Sequence, residues 1–293
     1  MSAWYPFGQY KVALTVFGYF RLDGGAMFGS VPKNLWNKRL PGDEENCIRL
    51  ASRSLLIRHE KRLFLVDVGP GEKWSEKQRK IFRINNTPIS ELGFTRGEIT
   101  DVILTHLHFD HAGGISYFEA DSRSLALTYP KAAHHLQRAN LENTQQPNLR
   151  ERGSYFPENV TVLERAKLNL LDGSSEIYPG IEVRRYDGHS KGQQIVAVSS
   201  GKEELLFVTD LIPTAHHLPV PYNMGYDICA ETVLREKEEI LSKAVERNAI
   251  VVFQHDPEIG AARVGRDDKG HYCVREAVPI AEFGARPGKD WSL

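Results

Sequence analysis

Thr105-His106-Leu107-His108-Phe109-Asp110-His111-Ala112-Gly113-Gly114 follows the apolar run Val102-Ile103-Leu104, and its reading decides the fold. A short aliphatic run bounded by polar residues predicts a buried strand, so the histidine-rich segment begins where that strand ends. In extended backbone, residues two apart point to one side, which brings His106 and His108 together. Asp110 and His111 follow at a turn, and Gly113-Gly114 permit a tight bend with close backbone approach. Imidazole nitrogens and a carboxylate oxygen are the ligands that Zn²⁺ and other borderline divalent ions take. The competing reading is a polar loop that happens to be rich in histidine. It is disfavoured, because burying such groups unpaired costs roughly 2–7 kcal/mol each.

The 293 residues fit one large domain or two small ones. With 41% hydrophobic and 26% charged residues, the composition is that of a globular chain with a substantial core. Lys plus Arg number 37 against 38 Asp plus Glu, so neither a nucleic-acid footprint nor a polybasic membrane patch is indicated. Cys47, Cys229 and Cys273 are odd in number and scattered, which suggests free thiols rather than a disulfide framework. The stretch from Met1 to Phe20 lacks the pattern of a signal peptide or membrane span, so a cytoplasmic enzyme is expected.

Outward from the motif, strands are expected over Lys11–Arg21, Ile48–Ile57, Lys61–Val68, Ser124–Tyr129, Ile181–Tyr186, Glu204–Thr209 and Ala249–Phe253. Helices are expected over Ser75–Ile84, with Ile81 and Phe82 as anchors, over Lys131–Glu142, and over Cys229–Asn248. Thr95–Ile99 reads as a helical turn, and Asp23–Gly29 as a flexible loop carrying Met27 and Phe28. Asp67 ends an apolar strand, where it either makes a local Asx turn or orients the histidine loop. His134 and His135, placed in the second helix, read as surface or structural residues. The segment from Asn143 to Glu158 is a long loop that either covers a site or is plain surface irregularity. Strands in series with intervening helices predict an α/β sandwich forming one domain over residues 1–293, in two similar halves that meet near residue 187.

Three later strands end in His189, Asp210 and His255. With His106, His108, Asp110 and His111, this order of seven resembles the dinuclear ligand set of the metallo-β-lactamase superfamily. The resemblance implies a four-layer αβ/βα sandwich, two mixed sheets with helices on the outer faces. It also implies two divalent ions, Zn first, with Mn, Fe or Co open to the same donors. His106, His108 and His189 would hold one ion, Asp110, His111 and His255 the other, and Asp210 both. Such a pair uses a bridging hydroxide to cleave ester-type bonds, and Asp110 would move the proton to the leaving oxygen. Metal binding needs neutral imidazoles, so metal loss is expected below roughly pH 6.5.

Asp210-Leu211-Ile212-Pro213-Thr214-Ala215-His216-His217, with Gly25–Gly29, resembles the N-acyl-homoserine lactone lactonase and organophosphate hydrolase branch. A lactone of the acyl-homoserine type is the implied substrate, and hydrolysis of it would make the chain a quorum-quenching enzyme. Phosphotriester or thioester hydrolysis at the same site is the alternative. A mononuclear iron oxygenase and a non-catalytic binding protein stand further off. Pro213 stands where some lactonases carry a tyrosine, leaving His216, Tyr222 and Tyr155 as candidates to assist the substrate. Met27, Phe28, Phe156 and Met224 are candidates for an acyl pocket. The expected partner is a small molecule, with neither nucleic acid nor membrane, and a homodimer is a family expectation.

Overall fold

The computed structural model describes residues 4–120 and 124–284. Its frame is two mixed sheets. The first runs in the order Tyr5–Phe7, Tyr10–Asp23, Cys47–His59, Arg62–Val66, Asp101–Ile103, Ala133–Gln137, Lys167–Leu171, with Asn85–Asn86 and Glu282–Phe283 also paired to Tyr10–Asp23. The second runs Ser175–Tyr178, Ile181–Tyr186, Gln193–Ser200, Glu203–Phe207, Ile250–Val252, Ala261–Arg266, Tyr272–Ala277. The chain crosses between sheets from Leu171 to Ser175, ahead of the residue-187 junction read from the sequence, and Glu282–Phe283 returns it to the first sheet.

Alternation along the strands builds a layered core. Val12, Leu14, Leu55 and Phe64 of the first sheet meet Val183, Val196, Leu205 and Phe207 of the second between the sheets. Leu56, Leu65 and Val102, on the opposite face, pack under Phe94, Tyr129 and Val162. On the outer face of the second sheet, Ile195, Leu206 and Val251 take the apolar stripe Val233, Ile240, Leu241 and Ala244 of the helix Ala230–Glu246. This is a layered α/β sandwich with two mixed sheets and a helix packed on the outer face of the second.

Parallel pairing fixes where the site lies. Arg62–Val66, Asp101–Ile103 and Ala133–Gln137 run parallel as neighbours, and so do Glu203–Phe207 and Ile250–Val252. Asp67, the His106 loop, Asp210 and His255 follow the carboxyl ends of these strands, the end at which open α/β sheets bind ligands.

Several expectations are corrected. Lys131–Glu142 is not one helix: Ala133–Gln137 is a strand and the helix is Arg138–Gln145. The local residues are good helix formers, but two parallel neighbours supply ladder partners that outweigh propensity. Both histidines are therefore buried, and His135 bonds Asp101 at 3.0 Å. Gly24–Phe28 is a short helix rather than a flexible loop, capped by the Asp23 carboxylate. Thr95–Ile99 forms only a turn, closed by Glu98 on Thr95. Ile81 is exposed, while Phe82 packs on Trp74 and Phe109. No helix among the described residues is long and apolar enough to cross a membrane.

Candidate metal centre

After Ile103 the chain bends at Thr105 and at His108, whose backbone is extended, and then makes one helical turn, Phe109–Ala112. The Leu107 amide is held by Asn140 Oδ1 and the His111 carbonyl accepts from Val68. A Cβ at Gly113 would lie 2.1 Å from the Pro70 carbonyl oxygen, and one at Gly114 2.1 Å from that of Val68. Only glycine lets the two backbones approach this closely. This stretch puts the His106 and His108 rings 4.5 Å apart, and the turn brings His111 to 4.0 Å from His106.

All seven residues singled out in the sequence converge. Ligand-type atoms of His106, His108, His189 and Asp210 lie within 4.8 Å of one another, and so do those of Asp110, His111 and His255. Asp210 stands between the groups: its Oδ2 is 3.1 Å from His189 Nε2 and 3.2 Å from His111 Nε2, and its Oδ1 is 2.9 Å from His255 Nε2. Asp110 Oδ2 is 3.5 Å from His111 Nε2 and 3.6 Å from His255 Nε2.

The far nitrogen of each ring is already engaged. His106 Nδ1 contacts Thr105 Oγ1, His108 Nε2 contacts Glu151, His111 Nδ1 contacts Asp67, His189 Nδ1 contacts Asp227 and His255 Nδ1 contacts the Ala51 carbonyl. A proton on each far nitrogen turns a lone pair inward on the near one. The near nitrogens of His111 and His255 are then 3.3 Å apart, as are those of His108 and His189, and such facing lone pairs repel. The buried Nε2 of His106 has no hydrogen-bond partner among the described residues. A cation in each group relieves this repulsion, as a proton on His111 and on His189 does without one, and also engages His106 Nε2; a nitrogen- and oxygen-rich donor set suits Zn²⁺ and its neighbours. The residues fit a metal pair.

Among the side chains themselves, burial pushes His106 well below its ordinary range, and His111 and His108 push the same way. Burial also lowers His108, partly offset by Glu151. Burial acts against protonated His189, yet Asp210 and Asp227 overcome it and hold that ring up at about 10. His111 is likewise raised against burial by Asp110 and Asp210. For Asp210, burial is outweighed by His111, His255 and His189, which keep it well below the carboxylate range.

Asp67 does more than close a turn. Its carboxylate accepts from the Thr105 amide and hydroxyl, from His111 Nδ1 and from Gln254 Nε2, all between 2.8 and 3.0 Å. The residue sits at φ 58°, a left-handed conformation that Asp tolerates.

The cluster floors a cavity of about 190 Å³ whose walls include Phe20, Leu22, Met27, Leu50, Met224 and Tyr226. Met27 and Met224 thus stand where the sequence reading put them. The other pocket candidates do not. Phe28 is fully buried, stacked on His217 at 4.4 Å and on Trp36 at 5.5 Å. Phe156 packs behind the wall on Trp74 and Phe109. Tyr222 packs against Phe28 and Arg39, and His216 lies outside the cavity. Tyr155 holds Glu151 through its hydroxyl at 3.0 Å instead of facing the cavity. The Asn143–Glu158 segment does cover the site, through Arg150, Glu151, Gly153 and Ser154. Sequence reasoning missed Glu151, Asp227 and Tyr226; position in that covering segment was the one signal available, and only for Glu151.

Residues 48–255 match the family model of the metallo-beta-lactamase superfamily. An N-acyl homoserine lactonase of Bacillus cereus is 27% identical over 206 residues, 68% of this chain and 72% of that protein. An N-acyl homoserine lactonase of Rhizobium radiobacter is 26% identical over 180 residues, and the match spans 64% of its length. The crystal structure of a probable metal-dependent hydrolase from Staphylococcus aureus superposes with a TM-score of 0.83 at 29% identity, covering 94% of this chain and all of that one. AidC, a dizinc quorum-quenching lactonase in complex with a product, shares the fold at a TM-score of 0.74 and 19% identity, covering 94% and 97% of the two chains. The chain is a hydrolase that belongs to the metallo-β-lactamase superfamily.

Proposed function

We propose that this hydrolase is dinuclear and opens a lactone that carries an apolar acyl arm, of the acyl-homoserine type. The observation that carries the reading is the convergence of five imidazoles and two carboxylates at the floor of a cavity with apolar walls. The lactonase relatives, at 25–27% identity, point the same way. His106, His108 and His189 would hold one cation, Asp110, His111 and His255 the other, and Asp210 both, with Zn²⁺ the first choice. When bound, such a pair lowers the pKa of a shared water and polarises a carbonyl oxygen.

The remaining work falls to the chain. Asp110 borders the cavity beside both groups, so its carboxylate is placed to take a proton from the nucleophile and return it to the leaving oxygen. Tyr226 is the tyrosine that lines the cavity, and its hydroxyl is the protein's candidate donor toward substrate, in place of Tyr155, Tyr222 or His216. Phe20, Leu22, Leu50 and Met224 exclude water and take the acyl arm. Three free cysteines suit a reducing, cytoplasmic setting.

The test is turnover of an acyl lactone, a glutathione thioester, a phosphotriester and a β-lactam by the Zn²⁺-loaded protein. The lactone is expected to give the highest kcat/KM. Phosphotriester or thioester turnover exceeding it by tenfold would overturn the substrate assignment.

A further inference from the structure

Two segments far apart in sequence wall the cavity, one contributing Arg150, Glu151, Gly153 and Ser154, the other Met224 and Tyr226. Each carries a carboxylate that holds a histidine of the same ligand group. Glu151 Oε1 lies 3.3 Å from His108 Nε2, and Asp227 Oδ1 lies 2.9 Å from His189 Nδ1. Both carboxylates are braced within their own segment, Glu151 by Asn148 Nδ2 at 2.7 Å and Tyr155 Oη at 3.0 Å, Asp227 by the Met224 amide at 2.8 Å.

One side chain ties these walls together. Arg150 Nη1 donates to the Gly225 carbonyl at 2.7 Å and to the Asp227 carbonyl at 3.0 Å, and no other hydrogen bond joins the two segments among the described residues. Arg150 is otherwise exposed, so its reach across the cavity is not dictated by core packing. The other ligand group is anchored elsewhere: His111 on Asp67 and His255 on the Ala51 carbonyl, both at strands of the first sheet.

We propose that Arg150 is a positioning residue that clasps the two cavity walls and, through Glu151 and Asp227, sets His108 and His189 for the cation they share with His106. The inference rests on the dinuclear reading. Outer hydrogen-bond partners of metal-binding histidines are worth roughly 10–100-fold in metal affinity. Because the clasp reaches only one ligand group, its loss acts on one cation and spares the other. It also joins substrate wall and metal site in one unit, so a ligand that closes the walls tightens that cation, and the reverse.

The experiment is competitive titration of the full chain with Zn²⁺ against a chromophoric chelator, for the wild type, Arg150→Ala and Arg150→Lys. The wild type is expected to bind two equivalents. In Arg150→Ala one equivalent weakens about three- to tenfold, below or at the low end for loss of a histidine's direct partner, while the other stays within about twofold, and Lys, whose ammonium can reach the same carbonyls, restores most of the loss. The ring N–H proton resonances of His108 and His189 in the loaded protein shift in Arg150→Ala, and those of His111 and His255 hold. Two unchanged equivalents, or two that weaken together, would overturn the clasp. A wild type that binds fewer than two equivalents would bring down the dinuclear reading itself, and the clasp with it.

Discussion

Replacing Asp67 by alanine removes the acceptor that organises the histidine loop. Four donors lose it: the Thr105 amide, the Thr105 hydroxyl, His111 Nδ1 and Gln254 Nε2. The Thr105 hydroxyl can turn to Thr209 Oγ1, 3.1 Å away, which leaves three buried donors without a partner. Each costs about 1–3 kcal/mol. Alanine at φ 58° adds about 1–2 kcal/mol. Taking the low end throughout, because water can enter the space left by a carboxylate, the sum is about 4 kcal/mol. That is a large part of the roughly 5–15 kcal/mol that holds a domain folded. Asparagine tolerates the same φ and keeps one acceptor oxygen, so Asp67→Asn should recover about half of the loss. The assay is urea unfolding in the presence of EDTA, which separates loop organisation from metal linkage. A loss below about 1 kcal/mol for Asp67→Ala would refute the claim that this carboxylate holds the loop.

Burial, offset in part by the Ala132 backbone, pushes the His134 imidazole down to about 4, so between pH 4 and 6.5 the unfolded chain binds the proton that the folded chain refuses. Stability therefore rises with pH across that window and levels off above it. His134→Leu should flatten the difference by about 2 kcal/mol, read as unfolding stability of variant and wild type at pH 5 and pH 7.5; parallel pH dependences would contradict it. Tyr226→Phe should lower kcat on an alkyl lactone roughly tenfold, the loss of one hydrogen bond to the developing alkoxide, and leave a thioester, whose thiolate needs less stabilisation, nearly untouched. Equal losses on both substrates would assign Tyr226 to packing. Asp110→Asn, which also takes a charge from the cation its group would hold, should lose turnover even per Zn²⁺-loaded chain; full turnover of the loaded variant would end its proton-transfer role.

The seven converging side chains were legible because metal chemistry restricts its donors to few side-chain types, and strands deliver each one to a common edge. His189, Asp210 and His255 each have an ordinary local reading, and it is their order behind the His106 motif that identifies them. Apart from Asp67, their supports were not legible. A histidine's far nitrogen accepts any carboxylate, hydroxyl or carbonyl as partner, and the structure uses all three kinds: Asp67, Glu151 and Asp227, then Thr105, then the Ala51 backbone. No pattern in Asn148–Glu151 or Met224–Asp227 announces that choice. The cavity wall was half legible for a related reason. Phe20, Leu22 and Leu50 lie on long strands whose residues are buried on both faces, so periodicity could not separate core from cavity. Phe28, one residue from Met27, turns the other way because the short helix capped by Asp23 sends successive side chains to different sides.

The central claim is that this chain holds two divalent cations through the seven converging side chains. Elemental analysis of metal per chain, after Zn²⁺ loading and removal of free ion, tests it most directly when wild type and Asp210→Ala are compared. Two equivalents in the wild type and fewer in the variant are expected, because Asp210 touches both groups. One equivalent or none in the wild type, or two in Asp210→Ala with unchanged affinity, would contradict the account.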